Sequence, residues 1–297
     1  MGLWTTKIPV WGMALALLAT GAGCANGLFY QPTHRIYQTP ADRQLPYEPV
    51  TMVSADGTRL SGWFIPAVGV ATGTVVHLHG NAQNMTAHFG FVDWLPAQGF
   101  NVFVFDYRGY GASEGRPRRG AVIEDCRAAL RYVWGRADVD PNRVVVYGQS
   151  LGGASAVAAL VREPGLVPRA IVLDSAFASY RGIVRDKIAM IPLLRGLRWP
   201  LSYLVVSGGY SPDAEIARLP RVPLLLVHGV ADRVVPAAHS VRLFERAHAP
   251  KSLWLVPGCD HTEAFMRKAP EYRPRLVAYL RAALNGTASE PVGVLLD

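Results

Sequence analysis

Between about residue 50 and residue 284 the chain alternates two textures. Short runs rich in β-branched and aromatic residues recur: VTMVSA, RLSGWFIP, TVVHLHG, NVFVFDY, RVVVYG, AIVLDSA, PLLLVHG and SLWLVPG. The first two are half polar and flank Asp56–Gly57, so they predict an antiparallel hairpin around a tight turn. The later runs are apolar on both faces, as strands are when helices cover both sides of a parallel sheet. Helical patterns lie between the runs, over roughly 84–98, 118–135, 151–162, 237–248 and 265–284. Strand, helix, strand in repetition predicts an α/β fold, a mostly parallel eight-stranded sheet with helices on both faces. In such sheets ligands bind beyond the carboxyl ends of the strands.

One connection is longer than a crossover needs. Residues 180–220 include IAMIPLLRGLRWPLSYLVV and two prolines, Pro192 and Pro200. The apolar stretch is too interrupted for a membrane span, which takes about 20 residues. It predicts a small helical cap inserted over the strand ends. An elaborated crossover on the sheet edge is the alternative. Residues 25–48 are expected to be a linker that wraps the domain, residues 49–284 the domain itself, and residues 285–297 a frayed tail.

Residues 1–24 follow another pattern. Lys7 is their single charge, and the run from Val10 to Gly23 has none. The run suits the apolar core of a secretory signal peptide. Ala22 and Gly23 before Cys24 resemble a bacterial lipobox, in which the cysteine is lipidated and becomes the new N-terminus. The expectation is export and a lipid anchor at Cys24 in the bacterial cell envelope. Plain secretion after cleavage near Ala25, or an uncleaved short anchor, are the alternatives.

Composition narrows the classes. The chain has 297 residues, half of them hydrophobic, enough for one large core. Charged residues make up 18%, with no low-complexity tract, which argues against disorder. The formal net charge is +8, but the basic residues are scattered. The densest group, GRPRRG at 115–120, has no interleaved aromatics to stack bases, so nucleic acid is excluded as the main partner. An anionic membrane surface stays open. Cys126 and Cys259 are expected to be free thiols.

Candidate chemistry gathers at strand ends. In RVVVYGQSLGGA, residues 143–154, a strand meets a helix at Ser150. So sharp a turn exposes the serine Oγ and needs tiny residues two before and two after it, which Gly148 and Gly152 supply. A serine hydroxyl needs a base and an orienting acid to attack. Of eight histidines, His261 in LVPGCDHTEAF follows the last strand. His77, His79 and His228 look like histidines satisfied within the sheet, and His34, His88, His239 and His248 like surface or helix positions. Asp232, in VHGVADRVVP, is the candidate acid, and Asp174, in VLDSAF, its rival. Asp106 and Asp260 read as structural. No H-x-x-H or C-x-x-C pattern suggests a metal, and no cofactor is expected.

The order Ser150, Asp232, His261, with HLHGNAQN (77–84), FDYRGYGASEG (105–115), YGQSLGG (147–153), LVHGVADRVVP (226–236) and GCDHTEAF (258–265), resembles the α/β-hydrolase superfamily. Within it the chain resembles the branch holding monoglyceride lipases, depalmitoylating serine hydrolases and their bacterial lipoprotein relatives. The resemblance implies nucleophilic attack by Ser150, a base at His261 and an acid at Asp232. It implies an oxyanion hole from the N–H of Leu151 and that of Asn81, with Ala82 as the other choice for the second. Arg108 is then structural, bonding neighbouring carbonyls. The implied substrate is a small-molecule acyl ester or thioester of lipid-like character. A peptidase of the prolyl-aminopeptidase type uses the same triad, and a silent binding scaffold uses the same fold.

Overall fold

The computed structural model describes residues 25–287 and 294–296. Residues 1–24, and with them the predicted signal segment and Cys24, lie outside the described residues. Eight strands carry the sheet: β1 (Glu48–Val53), β2 (Arg59–Ile65), β3 (Gly73–Leu78), β4 (Phe100–Phe105), β5 (Val144–Gln149), β6 (Ala170–Asp174), β7 (Leu224–Gly229) and β8 (Lys251–Val256). β1 pairs antiparallel with β2 around Asp56–Gly57, and β2 pairs antiparallel with β4. From β4 onward the pairing is parallel, in the order β4-β3-β5-β6-β7-β8. A ninth strand, β9 (Val294–Leu296), adds in parallel to the outer edge of β8. The tail expected to fray therefore returns in part to the sheet, where the open edge of β8 offers unpaired backbone groups.

The six longest described helices are α1 (Arg119–Trp134), α2 (Leu151–Val161), α3 (Tyr180–Ala189), α4 (Arg198–Val205), α5 (Ala238–Arg246) and α6 (Ala269–Asn285). Successive strand residues point to opposite faces, so the apolar runs feed two core layers. Val76, Val146 and Ile171 pack with Leu130 of α1 and Val157 of α2. Their neighbours Val75, Val145 and Val172 pack on the other face with Leu276 and Leu280 of α6.

Two helix expectations need correction. Residues 84–98 hold a short helix, Met85–His88, and two 3-10 turns, Phe89–Phe91 and Pro96–Gln98. Gly90 and Pro96 interrupt what the apolar spacing suggested. The stretch 265–284 is split at Lys268 into Ala264–Arg267 and α6, with Pro270 in the first turn of α6.

Between residues 180 and 218 the chain is helical in pieces. Ser179 caps α3, its Oγ accepting the Gly182 N–H at 2.9 Å. Pro192 opens a 3-10 turn, Pro192–Leu197, and Pro200 lies in the first turn of α4, where no intrahelical N–H is needed. The segment before β1 is seated on the domain. Gln31–Pro32 pairs with Ala82–Gln83, and the buried Phe29 ring lies 5.0 Å from Tyr180 and 6.2 Å from Phe177, centroid to centroid. Among the described residues no helix is long and apolar enough to cross a membrane.

Candidate active site

β5 ends at Gln149 and α2 begins at Leu151, so Ser150 alone makes the turn. Its backbone sits at φ 52°, ψ −113°, a region costly for any residue with a Cβ. The Ser150 N–H donates to the Asp174 carbonyl at 2.8 Å, which helps to hold that conformation. The turn leaves no room beside it. A Cβ on Gly148 would lie 2.6 Å from Gly153 Cα, and one on Gly152 would lie 2.0 Å from the Leu78 carbonyl oxygen.

His261 follows β8 and reaches back over this turn. Its Nε2 lies 2.9 Å from Ser150 Oγ, and its Nδ1 lies 2.7 Å from Asp232 Oδ2. Asp232 stands in the loop after β7, its side chain fully buried. Its Oδ1 accepts the N–H groups of Val234 and Val235, both at 2.8 Å. Burial alone would raise the Asp232 pKa. Hydrogen bonds from His228, His261 and the Val235 N–H outweigh it and hold the carboxyl well below the usual carboxylate range. The residues brought together are thus Ser150, His261 and Asp232, from three strand ends.

Asp174 is elsewhere engaged. Its Oδ2 accepts the Tyr147 hydroxyl at 2.8 Å, and its Oδ1 the Ser175 hydroxyl at 3.1 Å. Burial pushes its pKa up. Asp260 reads as structural in the geometry also: it accepts the N–H of His261 at 2.8 Å and pairs with Arg233. Asp106 is buried and accepts the Met85 N–H at 2.6 Å.

Leu151 and Asn81 both line the cavity next to Ser150. Leu151 is the first residue of α2, so its amide has no intrahelical acceptor and sits at the positive end of the helix. Asn81 is held from two sides. Its carbonyl accepts the Tyr110 hydroxyl at 2.7 Å, and its Oδ1 accepts the Gln31 N–H at 2.9 Å.

The cavity has a volume of about 110 Å³. Its walls are apolar, with Leu28 and Phe29 from the N-terminal segment, Ile183 and Val184 from α3, and Val234 and Val235 from the loop after β7. Among the described residues Lys187 is the one charged residue in this lining. Burial lowers its pKa, with nearby Asp232 and Asp186 opposing. Its Nζ donates to the Arg233 carbonyl at 3.5 Å.

Four features escaped the sequence. His228 is buried against Asp232, and the His228–Asp232 spacing of four across one strand end was the only available signal. His88 closes the short helix Met85–His88, one of the two places expected of it, but it is half-buried there and bonded inward. Its Nδ1 lies 2.8 Å from Gln149 Oε1, and burial with the neighbouring His79 lowers its pKa to about 4. Residues 28 and 29 wall the cavity, although their segment read as a linker. Arg108 bonds carboxylates rather than carbonyls: Asp125 through Nε and Nη2, and Asp56 through Nη1 at 2.6 Å. Cys126 and Cys259 are free and buried. Among the described residues no group of three or more His, Cys, Asp or Glu could hold a metal ion.

Known proteins are similar to this chain in sequence or in fold. The model of a family described as serine aminopeptidase, S33, matches residues 69–220. The uncharacterized protein YfhR of Escherichia coli (strain K12) is 41% identical over 266 residues, 88% of this chain and 89% of that protein. The alpha/beta hydrolase domain-containing protein WAV2 of Arabidopsis thaliana is 35% identical over 224 residues, 71% of this chain and 70% of that protein. Among solved structures, the Pyrococcus furiosus esterase Pf2001 superposes with a TM-score of 0.67 at 22% identity, covering 86% of this chain and 99% of that one.

Proposed function

The chain belongs to the α/β-hydrolase superfamily, and on that premise we propose that it is a serine hydrolase of carboxylic esters or thioesters. The observation that carries the reading is the hydrogen-bonded line from Ser150 Oγ through the His261 ring to Asp232. His261 Nε2 takes the hydroxyl proton as Oγ bonds to the acyl carbon. Asp232, ionised and buried, stabilises the imidazolium and keeps Nδ1 protonated. The carbonyl oxygen becomes an oxyanion, met by the N–H groups of Leu151 and Asn81. Collapse of this adduct breaks the bond to the alcohol or thiol, which leaves with the proton from His261. Water, deprotonated by His261, then releases the acid and restores Ser150.

The apolar cavity supports an acyl substrate, and its volume of about 110 Å³ favours a short acyl group or one end of a longer chain. The family match favours a second reading, cleavage of a peptide next to a free amine. Such a substrate needs a carboxylate to hold its cation. Among the described residues the lining contains Lys187 and no acid, which supports the ester reading instead. The same proposal holds the protein at a bacterial envelope membrane through Cys24, on the strength of the uncharged run that precedes it.

The test is p-nitrophenyl ester hydrolysis over acyl chains of two to sixteen carbons, with fluorophosphonate labelling alongside. Wild type should turn over and label, and Ser150→Ala should do neither. Labelling without ester turnover would move the reading to the peptidase. No labelling of a folded wild type would point to a silent scaffold.

A further inference from the structure

We propose that residues 190–204 form a docking surface for an anionic lipid bilayer. Leu193 is 90% exposed, Leu204 78% and Met190 60%, and Leu197, Trp199 and Tyr203 are each more than half exposed. The other exposed large hydrophobic side chains occur in ones and twos along the described chain, which is ordinary for a protein surface. This cluster is not the outer face of a loosely packed segment. Leu194, Leu201 and Val205 pack inward on the core, and Ser202 is fully buried. α4 is therefore apolar both where it meets the domain and where it faces away. A helix of that kind calls for a cover.

The charges around the cluster identify the cover. No Asp or Glu occurs between Asp186 and Asp213, while Lys187, Arg195 and Arg198 fall inside that interval. From α3, the guanidinium of Arg181 lies 4.1 Å from the Tyr203 ring and that of Arg185 4.1 Å from the Trp199 ring. Among the described residues, none of Arg181, Arg185, Arg195 and Arg198 forms an ion pair. Exposed leucines beside amphipathic aromatics and unpaired arginines match the layered chemistry of a bilayer surface, acyl chains below and phosphates above. A second copy is a poor fit. A two-fold contact would bring this cationic group against itself.

The position also suits the cavity. α3 carries Ile183, Val184 and Lys187 on the cavity wall and the two stacked arginines toward α4. A bilayer seated on α4 would lie next to the wall of the cavity, so that an amphiphile need not cross water to reach it.

The proposal is tested by position rather than by turnover, so it fails or stands apart from the hydrolase reading. The full chain with Cys24→Ser would carry an environment-sensitive fluorophore at Leu193→Cys or, as a control, at Val70→Cys. Val70 is 94% exposed and precedes β3, at the opposite end of the strands from Ser150. Cys126 and Cys259 are buried and out of reach of the label. With phosphatidylcholine vesicles containing phosphatidylglycerol, the label at 193 should shift to the blue and be quenched by a nitroxide lipid. The label at 70 should do neither. Adding R195E and R198E should weaken the response by about fivefold or more per charge. A label at 193 that stays in water would overturn the proposal. So would an equal response to pure phosphatidylcholine, or a blue shift without vesicles that grows with protein concentration.

Discussion

His228 Nε2 lies 3.1 Å from Asp232 Oδ2, the same carboxylate oxygen that His261 Nδ1 meets at 2.7 Å. His228 is fully buried, with Nδ1 2.7 Å from the Ser240 hydroxyl and Nε2 2.8 Å from the Val235 carbonyl. That network assigns the proton to Nε2. A carboxylate out of water is thus met by two histidines and two backbone amides, and its charge survives burial.

His228→Ala removes one of those donors. It should cost about 1–3 kcal/mol of stability at neutral pH, and His228→Gln less. The folded-state pKa of Asp232 is depressed, so its stabilising contribution is present above the unfolded value near 4 and is lost as pH falls below it. The gap between wild type and His228→Ala should therefore narrow as pH drops below about 4. Urea unfolding at pH 7 and pH 3 reads this directly. A gap that does not depend on pH would mean that His228 acts by packing alone.

Asp232→Asn should lower kcat by about 10⁴-fold, because the amide favours the wrong histidine tautomer. Asp174→Asn should leave kcat within a few-fold of wild type, because Asp174 bonds Tyr147 rather than His261. Its effect should be on stability. The folded-state pKa of Asp174 is raised by burial, so ionising it weakens the fold as pH rises from about 4. The asparagine variant escapes that cost and should be as stable as wild type or more so at pH 7. Steady-state kinetics and thermal melts on both variants separate the two acids.

Ser150→Gly should raise the melting temperature while abolishing turnover. The serine is held at φ 52°, and glycine relieves a strain of about 1 kcal/mol or more. Gly152→Ala should do the opposite. Its Cβ would meet the Leu78 carbonyl oxygen at 2.0 Å, so the strand and helix must separate, at a cost of about 4 kcal/mol or more. A soluble Gly152→Ala with an unchanged melting point would mean that the turn is far more pliant than its contacts imply.

Arg108→Ala should cost about 3–5 kcal/mol, because it strands the fully buried carboxylate of Asp125. Replacing both, Arg108→Met with Asp125→Leu, should be less damaging than Arg108→Ala alone. Chemical denaturation of the single and double variants tests the coupling. Additive losses would show that the pair acts independently.

Much of the molecule is legible in the sequence because it rests on local pattern. Eight strands, the hairpin at Asp56–Gly57, the turn at Ser150 and helices such as α1 and α2 each follow from residue periodicity and from glycines that a close turn requires. The positions of Ser150, Asp232 and His261 at strand ends follow from the same periodicity. What the local pattern cannot carry is contact between segments far apart in sequence. That His261 bonds Asp232 and not Asp174, that His228 shares the carboxylate, and that Phe29 walls the cavity were decided by how loops converge above the sheet. Arg108 could only find Asp125 and Asp56 once α1 and the first hairpin had packed beside it. Even the outward Leu193 and Leu204 have no meaning in the sequence, where apolar residues look the same whether they face the core or the surface. Burial is a property of the assembled layers, and it is burial that makes a charge, a histidine or a leucine chemically distinct.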